Sequence, residues 1–192
     1  MRLWAVSLAA ALLVPGSPAV AQQVAVAADV PVASPVGAGT RNLAFGVVVP
    51  IMGQIVDVDV PAATAPVSGT VHAGEFRYDV TSARGLDFIL TTPAALLGPG
   101  LPPLGVTFDG LQYGGYCIDA GAGCTLTVFN PAAPGNVRVC ARMLASGSCH
   151  PNRFFAPGTE LGVYIGGRLS VPPTARAGIY SGVVTLTIVQ VY

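Results

Sequence analysis

The chain has 192 residues, 52% of them hydrophobic and only 9% charged, with nine basic residues against nine acids, and every one of the basic residues is arginine. A near-neutral chain with so few charges has no overall electrostatic footprint for nucleic acid or anionic lipid, so its net charge points to neither partner class. It also has little charge repulsion to hold copies apart, so self-association is compatible with it.

The chain opens with Arg2, an apolar run from Leu3 to Val14, a break at Pro15 and Gly16, and the small-residue pattern Ala19-Val20-Ala21. This is the layout of a signal peptide over residues 1–21, cleaved before Gln22. The predicted compartment is therefore outside the cytoplasm: bacterial periplasm, cell surface or medium. Absence of lysine and the Ala/Gly/Pro/Val bias point to a GC-rich bacterial genome. Cleavage removes Arg2 and leaves eight arginines against nine acids. About 170 residues remain, a length suited to one domain.

Residues 22–42 read as an N-terminal extension or linker, and residues 43–192 as a β-domain. Within the extension Val24, Val26, Val30 and Val32 recur with period two, the pattern of a strand that needs a partner sheet, although Pro31 removes one ladder hydrogen bond. From Leu43 onward short alternating runs are separated by glycine and proline. "LAFGVVV" ends at Pro50. "QIVDVDV" places Val56, Val58 and Val60 inward and Asp57 and Asp59 in water. "EFRYDVT" turns Phe76, Tyr78 and Val80 inward and Glu75, Arg77 and Asp79 outward. "LDFILTT", "LGVTF", "TLTVF", "VRVCA" and "LGVYIGGRLSV" follow, the last with Gly166-Gly167 as a turn or bulge.

Phe88 to Phe108 carries no charge over a length that could cross a bilayer, but it contains Pro93, Pro99, Pro102 and Pro103. Those prolines break a helix repeatedly, so no membrane span is expected once the signal is removed. The last run, Val183 to Tyr192, has no charge, glycine or proline. Its period is two, with Val184, Leu186 and Ile188 on one face. Such an edge invites pairing with another strand. Eight or nine strands with Gly/Pro turns and no amphipathic helix predict an all-β fold, an immunoglobulin-like antiparallel β-sandwich with Greek-key connections.

The four cysteines, Cys117, Cys124, Cys140 and Cys149, are even in number in an exported chain, which favours disulfides. Three pairings are open; neighbour pairing is preferred because each pair brackets a glycine-rich loop. No C-x-x-C spacing supports a metal. Only His72 and His150 could serve as general bases, and no G-x-S-x-G elbow accompanies them. No catalytic residue, cofactor or metal ligand is therefore assigned, and an enzyme is not expected. Tyr113 and Tyr116 flank Gly114-Gly115 and form either an exposed aromatic binding patch or a cap on the core.

The ends of the domain carry a resemblance. Gly166-Gly167 with Leu169, then "AGIYSG" (Ala177–Gly182) and the last strand finishing on Tyr192, together with "LAFG" at Leu43–Gly46, resemble the secreted bacterial domain of unknown function 4402 family. That family is similar in turn to spore-coat U-like domains and to chaperone–usher pilins. The cysteine loops depart from the pattern. The resemblance implies a pilin-like fibre subunit, structural or adhesive, that assembles by strand donation with copies or homologous subunits, assisted by a periplasmic chaperone and an outer-membrane usher. On that reading Val24, Val26, Val30 and Val32 are the donor face, and Val184, Leu186 and Ile188 belong to the acceptor edge. The competing expectation is a self-contained monomeric binding module.

Overall fold

A computed structural model describes residues 24–27, 37–48, 53–60, 71–119 and 125–192. The strands are β1 (Val24–Ala27), β2 (Gly37–Arg41), β3 (Ala44–Val48), β4 (Gln54–Val58), β5 (Val71–His72), β6 (Gly74–Asp79), β7 (Gly85–Thr91) and β8 (Ala95–Leu96). They continue with β9 (Leu104–Thr107), β10 (Gly114–Asp119), β11 (Thr127–Phe129), β12 (Val137–Cys140), β13 (Glu160–Ile165), β14 (Gly167–Val171), β15 (Ile179–Tyr180) and β16 (Thr185–Val191). A 3-10 turn spans Leu111–Tyr113. The described residues form an all-β structure.

The strands form four sheets, in the orders β15-β1-β3-β5, β11-β10-β13-β6-β2, β12-β7-β16 and β4-β14-β9-β8. Pairing is antiparallel, with β1 beside β15 as the parallel exception. One buried cluster draws on all four sheets: Phe45, Phe76 and Leu161, Phe88 and Leu186, Leu104 and Leu169. The alternation of "EFRYDVT" follows from this. Phe76 and Tyr78 enter the core from β6, while Arg77 and Asp79 stay exposed.

Glu75 departs from the expected pattern and is buried at 8% exposure. The outer face of its sheet is itself covered, because Val60, Cys117 and Tyr164 pack there in a second small cluster with Leu126. The carboxylate is paired with Arg77 at 2.8 Å and Arg41 at 3.7 Å, as a buried acidic side chain requires.

Two glycines shape the chain. Gly46 has φ +76°, where a side chain would be strained. It produces a bulge: Val26 faces Gly46 and Ala27 faces Ala44, leaving Phe45 as the extra residue. Phe45 and Val48 are thereby both buried and Val47 is exposed. At Gly166 a Cβ would overlap the carbonyl oxygen of Val58. Gly166-Gly167 is thus a corner where the chain leaves the β13 sheet for the β14 sheet, rather than a hairpin turn.

The 22–42 segment is divided rather than a plain linker. Its β1 joins the first sheet and its β2 pairs with β6, Gly37 facing Tyr78 and Arg41 facing Glu75. Of the proposed donor face, Val24 and Val26 lie in β1, and Val30 and Val32 lie outside the described residues. The signal-peptide assignment over 1–21 also falls outside them.

Candidate strand-exchange site

The two ends of the sequence meet at β1. On one side it runs antiparallel to β3, with Val24, Ala25 and Val26 opposite Val48, Val47 and Gly46. On the other it runs parallel to β15, with Ala25 and Val26 opposite Ile179 and Tyr180. The strand is held by backbone hydrogen bonds to the first strand of the β-domain and to the short β15 that precedes its last run. Beneath the site Phe45 and Tyr180 are buried, and at its surface Val47 and Ile179 are 54% and 68% exposed.

The last run continues as β16. Val184 and Leu186 are buried and Ile188 is half-buried against the core, while Val183 and Thr187 face out. The expected acceptor strand therefore has its apolar face where the period placed it. Among the described strands β16 is paired with β7 and lies at the edge of its sheet. Val189 and Val191 are exposed beyond a bulge between Ile188 and Gln190.

The far end of β16 is clamped. Arg138 on β12 donates from Nε and Nη2 to the two carboxylate oxygens of Asp87 on β7, both at 2.8 Å. The Tyr192 hydroxyl donates to the same carboxylate at 2.8 Å, and its ring lies 5.3 Å from the guanidinium. Asp87 is 3% exposed. The Arg138 hydrogen bonds outweigh burial and hold its carboxyl below the ordinary range. Bonding to that carboxylate raises Tyr192. Arg138 Nη1 also reaches the Gly147 carbonyl at 3.2 Å, in the loop closed by the Cys140–Cys149 disulfide. That disulfide is one of the two neighbour pairs expected. Cys117 is disulfide-bonded as well, and Cys124 lies outside the described residues.

The remaining candidates are placed as follows. Tyr113 and Tyr116 do not form an exposed patch. Tyr113 is 1% exposed, and its hydroxyl donates to Asp57 Oδ1 at 2.6 Å. Tyr116 packs on the core with its ring 6.4 Å from Phe129. Tyr113 is buried at the end of the 3-10 turn with its hydroxyl anchored on Asp57 of β4, and Tyr116 follows it on β10 against the core. Asp57 is engaged by Arg168 at 2.8 Å and is held below the usual carboxylate range by that bond first and by Tyr113 second; Asp59 is exposed.

His150 Nδ1 accepts the Asn152 amide at 3.2 Å, a turn-stabilising contact. His72 is half-buried, and its Nδ1 has no hydrogen-bond partner. Among the described residues, no three His, Cys, Asp or Glu side chains come together as a cation site, and no described helix is long and apolar enough to cross a membrane. The sequence singled out neither Asp87 nor Arg138; they are 51 residues apart and only the β7–β12 register, with Asp87 opposite Arg138, joins them. The chain matches no family model, no curated protein and no solved structure, so its resemblance to the pilin-like families rests on the quoted residues alone.

Proposed function

We propose that this is a secreted, non-enzymatic structural or adhesive protein, an immunoglobulin-like β-sandwich that assembles into fibres by passing its N-terminal strand between copies. The observation that carries the proposal is the seat of β1, between β3 and β15. A backbone ladder of this kind is equally good whether the strand comes from the same chain or from another, which is the basis of both strand addition and domain swapping. Residues 28–36, between β1 and β2, are long enough to span on the order of 30 Å when extended. The edge position and uncharged sequence of β16 support the same reading. Assistance by a chaperone and usher follows only from the resemblance.

A second reading has an observation in its favour. The described β1 pairs within its own chain, as a closed monomeric module requires. One experiment separates the two. Ala25 and Val47 face one another across β1 and β3, close enough for a cross-strand disulfide. Ala25→Cys with Val47→Cys, oxidised in the whole processed protein, gives a ladder on non-reducing electrophoresis if the strand is exchanged. It gives a single monomer band if the module is closed. Removal of residues 22–40 abolishes any unboiled ladder in the first case only.

A further inference from the structure

The loops around the Cys140–Cys149 disulfide, which depart from the family pattern, have a surface unlike the rest of the chain. From Val137 to Thr159 there are three arginines, one histidine and no acid. Arg138 is taken by Asp87, but Arg142 and Arg153 are exposed and belong to no ion pair among the described residues. The near-zero balance of the whole chain conceals this local excess. Interleaved with the arginines are large apolar side chains in water: Met143 at 50%, Leu144 at 37% and Phe154 at 58% exposure.

The backbone gathers these residues at one place. Met143 is bridged to Cys149, the His150 amide bonds to the Arg142 carbonyl at 2.9 Å, and the Arg153 amide bonds to the His150 carbonyl at 3.3 Å. The disulfide staples the loop at its base. The acids on the neighbouring strand ends are occupied: Asp79 accepts the Thr81 amide and Glu160 is paired with Arg77.

We infer that this loop end docks on an anionic lipid surface. Charge complementarity selects a negative partner, and the apolar side chains select among negative partners. A soluble polyanion would neutralise Arg142 and Arg153 and leave Phe154, Met143 and Leu144 in water. A lipid interface takes both groups, the guanidiniums at headgroup phosphates and the apolar tips among the first acyl carbons. The inference is independent of strand exchange, since the loops lie away from β1 in sequence and do not pair with it.

The test is flotation of the processed protein with vesicles of phosphatidylcholine and phosphatidylglycerol in equal parts, against phosphatidylcholine alone. Binding to the anionic vesicles only, weakened by salt, is expected. Arg142→Gln and Arg153→Gln each lower it about five-fold, and Phe154→Ala lowers it about ten-fold, with unchanged melting because all three side chains are exposed. The sequence has one tryptophan, Trp4 in the predicted signal, so Phe154→Trp reports insertion as a blue shift in emission. No binding to anionic vesicles, equal binding to neutral ones, indifference to the substitutions, no blue shift on binding, or retention on an acidic polysaccharide without vesicle binding would overturn the inference.

Discussion

Replacement of Arg138 by alanine tests the clamp at the end of β16. The change removes two charge-assisted hydrogen bonds of 2.8 Å from Asp87 and leaves a carboxylate that is 3% exposed with the Tyr192 hydroxyl and the Asn136 side chain as its remaining donors. Breaking a buried pair from one side costs about 3–5 kcal/mol. The Arg138 side chain is 38% exposed, which places the expected loss near the low end, about 3 kcal/mol at pH 7. Arg168→Ala is the matched control. Its partner Asp57 is 38% exposed, so the loss there is below about 1 kcal/mol.

Urea unfolding at a series of pH values gives both numbers and a sign. Asp87 has a folded pKa below its unfolded value. Its contribution is therefore complete above the unfolded value of about 3.9 and disappears as pH falls through the folded one. The gap between wild type and Arg138→Ala must close as pH drops below about 4. A loss under 1 kcal/mol at pH 7, or a gap that persists undiminished in acid, would refute the argument.

Four further outcomes follow from the same structure. Gly46→Ala, at φ +76°, costs about 1–2 kcal/mol in chemical denaturation and loosens β1, because the bulge that sets its register no longer forms without strain. Gly166→Ala places a methyl against the Val58 carbonyl; a fall in soluble yield or a melting point at least several degrees lower is expected. Loss of the Cys140–Cys149 disulfide through paired serine substitutions removes about 2.5 kcal/mol on the chain-entropy model for a separation of nine. It also speeds amide exchange at Gln190 and Val191, because the loop that holds Arg138 through Gly147 is released. Tyr113→Ala, which an exposed binding patch would tolerate, instead lowers stability by about 3 kcal/mol or more, since the ring is buried and bonded to Asp57.

What could be read in advance was local. Alternation in "EFRYDVT" and in the last run placed Phe76, Tyr78, Val184 and Leu186 in the core, because period two is a property of one strand. The Cys140–Cys149 pairing was legible for the same reason, with its ends nine residues apart. What escaped depends on which strands become neighbours. Nothing in "LDFILTT" marks Asp87 as a buried acid, because its partner Arg138 is brought opposite it only by the β7–β12 pairing. Glu75 looked solvated and is buried because Tyr164, opposite it on β13, packs with Val60 and Cys117 from distant segments. Gly46 hid a change of face in "LAFGVVV", since periodicity counts residues and a bulge adds one.

The pairing of Ala25 with Ile179 sets an order of events as well as a geometry. The two partners are about 150 residues apart, so a chain made at 5–20 residues per second brings the second into existence about 8–30 s after the first. A chain threaded N-terminus first across a membrane faces the same delay. For that interval β1 has β3 at hand but lacks its parallel neighbour, and a contact this remote in sequence is among the last to close. On the proposed strand-exchange reading, slower synthesis or export would lengthen the window in which the N-terminal strand of one molecule meets the unfinished edge of another.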